Sequence, residues 1–255
     1  MTNLDWITKI FFGEKVWLNF IKGSGYTLVM ALTGTIVGFA IGLLIAIIRT
    51  TPTPSSAGRF RKALKKVVDF LLSCYVEIIR GTPMLVQALI VHYGVFVPLK
   101  IPALLSAIII ISFNTGAYMA EIVRGGIISV DSGQFEGAQA LGMTHWQTMT
   151  QVVLPQAIRN IMPSVSNEFV VNIKDSSVLS VISITELMFM SNMSIGAYYK
   201  YVPVYLICAT IYFVLTFTTT RILRLVEKKL AGSNTYVICG SQSNPDAEIH
   251  VNKEA

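Results

Sequence analysis

Three stretches of this chain, residues 23–48, 101–120 and 201–220, contain no Asp, Glu, Lys or Arg. About 20 uncharged, mainly apolar residues are what a helix needs to cross the hydrocarbon core of a bilayer, so each stretch predicts a membrane span. In hydrocarbon every backbone N–H and C=O must be bonded internally, and for single segments of this length that means an α-helix. Segments near 67–97 and 157–175 are mainly apolar but carry charges, and they bring the expected count to five spans. Composition agrees, because only 13% of the 255 residues are charged, against about 25% in an average soluble domain.

The charges that remain flank the spans. Arg49, Arg59, Arg61, Lys62, Lys65 and Lys66 lie between the first and second spans with no acidic residue among them, which marks that loop as cytoplasmic by the positive-inside rule. With five spans the N-terminus is then outside, the stretch 121–156 is inside, and the basic end Arg221, Arg224, Lys228 and Lys229 is inside as well. The net charge of +6 is thus used on topology, and no basic face interleaved with aromatic residues points to nucleic acid. Residues 1–22 mix Asp5, Lys9, Glu14, Lys15 and Lys22 with Trp6, Phe11 and Trp17. That is too charged for a signal-peptide core and fits a helix lying in the membrane interface. Cys74, Cys208 and Cys239 are scattered, and His92, His145 and His250 are isolated, so neither a disulfide framework, a metal site nor a catalytic set is legible. No Gly-rich phosphate loop is present, and ATP chemistry, where it is needed, belongs to another chain.

Within the first span Gly34, Gly38 and Gly42 recur every four residues and line one face where another helix can approach closely. The linker that follows holds Pro52 and Pro54 and reads as a turn. The second span contains Arg80-Gly81-Thr82-Pro83, and the proline predicts a break in the helix at that point. Broken membrane helices often sit at transport sites. The polar residues from 231 to 255 predict a tail without regular structure.

Residues 134–155 carry too many polar side chains for hydrocarbon and read as two short helices. Gly142 suits the left-handed residue that ends the first, Thr144 and Gln147 have the spacing of a capping box for the second, and Pro155 punctuates the start of the fourth span. Phe135, Met143 and Trp146 are then apolar contacts presented on a compact knob.

The same loop carries a family resemblance. Glu136, Gly137, Ala138, three residues, Gly142, nine residues and then Val152-Val153-Leu154-Pro155 resemble the signature loop of permease subunits of ATP-binding-cassette importers. The sequence departs from that pattern in Gly137, where Ala is usual, and Val152, where Ile is usual, with the spacing intact. EIIRGTPMLVQ, SFNTGAYMAEIVRGGI and SNEFVVNIKDSSVLSVISITEL are similar to segments of the polar amino-acid branch, and the likeness runs over roughly residues 24–225. It implies an all-α membrane protein with the five transmembrane helices of a type I importer permease, the N-terminus outside and the C-terminus inside, organised as an interfacial helix 1–22, a permease domain 23–230 and a tail 231–255. It further implies that Glu136, Gly137, Ala138, Leu141, Gly142, Trp146 and Pro155 form the coupling helix and its surroundings, which dock on an ATPase. Glu136 taken alone also fits a solvated charge favouring a helix start.

Charges inside spans cost about 2.5–3.5 kcal/mol each at the centre, which makes them candidates for function. On the fourth span Ser164, Asn167, Glu168, Asn172, Lys174 and Asp175 fall within an arc of roughly 160°. On the second, Glu77 and Arg80 are spaced to pair with each other, or Arg80 stands free to take a carboxylate in two parallel bonds. Lys174 either helps to hold such a carboxylate or snorkels to the outer interface. The substrate candidates are therefore Arg80, Glu168 and Asp175 as a clamp for a zwitterion, with Lys174, Thr82, Gln87, Ser176 and Ser177 as partners. Asn114, Tyr118 and Glu121 are weaker ones. The resemblance places an amino-acid site on the RGTP, NEF and KDSS segments.

The function so implied is uptake of an amino acid by alternating access, in the plasma membrane of a bacterium. The expected partners are two ATPase subunits that bind ATP and Mg, a second permease chain, identical or related, an external amino-acid-binding protein, and membrane lipid. An ion or solute channel is the alternative from another class, and it needs no ATPase contact.

Overall fold

The computed structural model describes residues 3–12, 16–53, 57–231, 236–238 and 249–251. A short helix, α1 (Asn3–Phe12), precedes the 34-residue α2 (Trp17–Thr50), which starts six residues ahead of the charge-free stretch. There follow α3 (Arg59–Gly81), α4 (Met84–Val91), α5 (Ala103–Ile128), α6 (Ser132–Ala140), α7 (His145–Gln147), α8 (Leu154–Asp175), α9 (Leu187–Tyr198) and α10 (Tyr201–Ala231). Pro52 falls in the described part of the α2–α3 linker, whereas Pro54 lies outside the described residues. In the tail, Tyr236–Ile238 pairs antiparallel with Ile249–Val251, so this part of it departs from the expectation of no regular structure.

Three helices, Trp17–Thr50, Ala103–Ile128 and Tyr201–Lys229, are long and apolar enough to cross a membrane singly, and two bent pairs meet the same test as units, which makes five. The first pair is α3 with α4 and its π-helical extension His92–Phe96, bent by 111°. The second runs from His145 to Ile182 and then along α9, bent by 52°.

This second pair contains the expected fourth span, 157–175, as α8 (Leu154–Asp175). Past Asp175 the chain goes on through a 3₁₀ segment, Ser176–Ile182, into α9. Glu186, just ahead of α9, could offer its carboxylate to solvent. The structure instead buries that carboxylate completely and uses it as the cap of α9, accepting from the N–H groups of Met188 at 2.8 Å and Phe189 at 2.6 Å and from the Tyr212 hydroxyl at 2.8 Å. A charged group is tolerated in a low-dielectric interior when its acceptor sites are filled in this way.

The core is organised around α2 and α5. A Cβ on Gly38 would lie 2.8 Å from the Thr115 side chain, and one on Gly42 would lie 2.4 Å from Met119 Cβ, so the glycine stripe is the surface on which α5 rests. With lipid as solvent there is no hydrophobic drive between helices, and close packing of small residues does the holding. A buried polar link adds α8, where Asn172 Nδ2 donates to Thr35 Oγ1 at 2.8 Å and Asn172 Oδ1 accepts from Thr115 Oγ1 at 3.0 Å. At one end of the bundle Ala46, Val123, Ile127, Met149, Val153 and Ala157 form a core under the α6–α7 loop. At the other end Ile10, Phe20, Leu187, Ile195 and Val204 gather α1, α2, α9 and α10.

Candidate functional site

The first break lies at Thr82-Pro83. Pro83 has no N–H, so in a continuous helix the carbonyl of Ile79 would lose its partner. Gln87 Nε2 donates to that carbonyl at 2.8 Å, and also to Thr82 O at 3.0 Å and Thr82 Oγ1 at 2.7 Å. Thr82 Oγ1 in turn donates to Ile78 O at 2.8 Å, and Gln87 Oε1 accepts from Asn114 Nδ2 on α5 at 3.0 Å. The freed backbone groups of the break are thus satisfied by side chains, as a non-helical backbone at membrane depth requires. Thr82 and Gln87 do this work in the structure, and Asn114 holds the bend against α5.

The second break begins at Asp175 and ends at Glu186, with Ser183 in the left-handed region at φ 63. The two breaks meet. Met84 and Ala88 from α4 pack in one cluster with Leu179, Ile182 and Ile184 from the second break. Arg80 and Asp175 therefore each stand at the end of a half-helix next to this contact.

The charged candidates lie on the helices that lead into the two breaks, Arg80 on α3 and Glu168, Lys174 and Asp175 on α8. The guanidinium of Arg80 lies over the Tyr118 ring at 5.4 Å, and among the described residues it forms no ion pair with Glu77, which is exposed. The carboxylate of Glu168, half-buried, feels the charges of both Arg80 and Asp175, and Asp175 feels Lys174. Ser176 is buried and donates to Ile173 O at 2.8 Å, whereas Ser177 is partly exposed. Glu121, a weaker candidate, is engaged elsewhere, with Arg49 Nη1 at 2.8 Å and Arg124 Nη2 at 2.8 Å.

The polar arc expected on the fourth span divides in three. Asn172 is turned into the α2–α5 core, Asn167 and Lys174 line cavities against α10, and Glu168 and Asp175 remain in electrostatic reach of each other, with Arg80 acting on Glu168. Periodicity alone does not separate these faces, because it registers polarity and not the neighbour. Asn172 is not recognisable as a structural anchor for that reason. A cavity of 440 Å³ in the angle between α3, α4 and α5 is lined by Ile78, Val86, Ile90 and Phe113, and its polar members Thr82, Gln87 and Asn114 are bonded to one another. It suits an apolar group and not a zwitterion.

The loop expected to dock has a defined shape. Asp131 caps α6 by accepting from the Gly133 N–H at 2.6 Å. The helix ends as Met143 N donates to Ala138 O at 3.1 Å and Gly142 N to Gln139 O at 2.9 Å, with Gly142 at φ 79, which is the pattern of a Schellman cap. Thr144 and Gln147 form the capping box. Leu141 and Trp146 project with 85% and 63% of their surface exposed, and Glu136 and Gly137 are exposed beside them, whereas Ala138 is buried. The second helix is not separate from the fourth span. It runs from His145 through a π-helical segment, Thr148–Val153, straight into α8. Pro155 sits in the first turn of α8, where the ring is tolerated, and the widened π turns precede it.

Residues 38–232 match the model of the family described as binding-protein-dependent transport system inner membrane component. The putative glutamine transport system permease protein GlnP of Rickettsia bellii is 34% identical over 221 residues, covering 86% of this chain and 95% of that protein. The glutamine transport system permease protein GlnP of Escherichia coli K12 is 31% identical over 213 residues, covering 82% and 92%. A crystal structure of an amino acid ABC transporter with histidines superposes with a TM-score of 0.73 at 38% identity, covering 84% of this chain and 95% of the other. With its broken spans and capped loop in place, this chain belongs to the family of inner membrane components of binding-protein-dependent transport systems.

Proposed function

We propose that this chain is the permease subunit of an ATP-driven amino-acid importer whose substrate rests where the two broken spans meet. The observation that carries the reading is the packing of two helix breaks on each other, one beside Arg80 and the other at Asp175, with Glu168 on the same helix as Asp175. A planar guanidinium suits the α-carboxylate of an amino acid, and an acidic pair suits its α-ammonium. Lys174 balances the charge of Asp175. The relatives named for glutamine transport support an amino acid as cargo, and no observation favours a channel.

In this reading the basic α2–α3 linker and the α6–α7 loop face the cytoplasm of a bacterial cell and the N-terminus faces outward. The first loop helix, with Glu136 and Gly137 at its surface and Leu141 and Trp146 projecting beyond its end, docks on one of two ATPase subunits, which hold ATP and Mg. A second permease chain closes the path, and an external binding protein delivers the amino acid. Because α7 is continuous with α8, movement of the docked loop reaches Glu168 and Asp175 along one helix.

The test is titration of glutamine, glutamate and histidine into the purified complex by calorimetry, with Arg80→Met and Glu168→Gln variants. Each variant is expected to weaken binding of the transported amino acid by about tenfold or more. Unchanged affinity in both sinks the proposed site. ATPase stimulation by sugars or metals, and by none of the amino acids, sinks the cargo class.

A further inference from the structure

Two cavities lie side by side between α8 and α10, of 240 and 260 Å³, and they share Val170, Thr220 and Arg224 as walls. Together they make one groove that starts at Lys174, next to Asp175, and ends at Glu227. Pro163 and Lys174, its limits on α8, are 11 residues apart, roughly 16 Å by helical rise. That is about half of a hydrocarbon core of roughly 30 Å.

The lining sets charged side chains among apolar ones such as Val170, Phe213 and Leu223. Among the described residues Lys174, Arg221 and Arg224 form no ion pair, and Arg221 rests on the Phe217 ring at 4.9 Å. Three cations line the groove together with Asn167, Thr220 and one carboxylate, Glu227. Such a surface is costly against lipid tails, and it extends too deep to serve only a headgroup at the interface. A water-filled passage answers both points, since intramembrane charges characteristically line a polar cavity.

We infer that the α8–α10 groove is the wall of the inner leg of the transport path, and that Lys174, Arg221 and Arg224 take the cargo's carboxylate in turn as it leaves the Arg80–Glu168–Asp175 site. This inference rests on the function proposed above. The three cations stand in sequence along the groove, so each offers a weak, replaceable partner and none needs to bind tightly. Multiple weak sites favour passage over retention.

The experiment uses the complete complex, with its ATPase and binding protein, in liposomes, and measures radiolabelled glutamine uptake and ATP hydrolysis in the same vesicles. Arg221→Gln with Arg224→Gln is expected to lower glutamine taken up per ATP hydrolysed by about tenfold, while hydrolysis stimulated by loaded binding protein changes by less than about twofold. Lys174→Gln alone lowers the same ratio, and Arg221→Lys with Arg224→Lys restores it. An unchanged ratio in Lys174→Gln and in the double Gln variant overturns the inference, as does a Lys pair no better than the Gln pair. A wild-type complex that hydrolyses ATP but imports no amino acid removes the parent reading, whereas normal wild-type import with an unaltered ratio in the variants removes this one alone.

Discussion

Gln87 Nε2 donates to the carbonyl of Ile79 at 2.8 Å, the acceptor that the absent N–H of Pro83 leaves open. The side chain substitutes for a backbone donor one turn before it, and so makes the break in the second span a defined bend. Replacing Gln87 by Leu leaves the Ile79 carbonyl without this donor and frees Asn114, a loss of about 1–3 kcal/mol. Thermal unfolding in detergent should register it, and Gln87→Glu should be worse than Gln87→Leu because it also puts a charge against two carbonyls.

Asn172 joins three helices through Thr35 and Thr115. Asn172→Leu is expected to destabilise the chain by about 1–3 kcal/mol, since it takes the acceptor from the buried Thr115 hydroxyl and a donor from Thr35, which keeps only its bond to Ala31 O. Adding Thr35→Val and Thr115→Val should recover part of that loss, because a site made apolar throughout has no unsatisfied group. Unfolding midpoints of the single and triple variants check this.

Gly42 and Gly25 make a matched pair. A Cβ on Gly42 meets Met119 Cβ at 2.4 Å and Ala120 N at 2.6 Å, while one on Gly25 meets nothing within 4 Å. Gly42→Ala should cost about 1–3 kcal/mol through forced separation of α2 and α5. Gly25→Ala should leave the unfolding temperature unchanged or slightly higher, as a helical glycine replaced by alanine gains about 0.5–1 kcal/mol.

At the loop, Gly142 has φ 79 and open space around it. Gly142→Ala is strained by roughly 1–2 kcal/mol without any clash, and Gly142→Asn by less. The expected outcome is weaker retention of the ATPase partner on an affinity column by the Ala variant than by the Asn variant, with the span-to-span packing unaltered in its unfolding temperature.

The sequence shows these elements unequally. Charge-free runs reveal α2, α5 and α10 because hydrocarbon excludes charge whatever the neighbours are. The break at Pro83 and the capping pair Thr144–Gln147 were legible because their chemistry is local, within one turn of the chain. The course of the fourth span was not, since Glu186 looks like a surface charge until Met188, Phe189 and Tyr212 are seen to hold it. Nor was the division of the polar arc on α8, in which Asn172 turns inward while Glu168 stays near Arg80. Those roles depend on contacts from α2, α3 and α5, which lie far off in sequence.

The bend between α3 and α4 also bears on how the chain is made. At 8 residues, α4 covers roughly 12 Å by helical rise, too little to cross a bilayer by itself. It leaves the ribosome before α5, and with it before Asn114, whose amide fixes Gln87. The bend is therefore complete only with α5 in place, since α5 brings Asn114 to Gln87 and itself rests on the glycine stripe of α2. The unbroken helices α2 and α5 are the frame of the bundle, and the bent pair is held in shape by leaning on it.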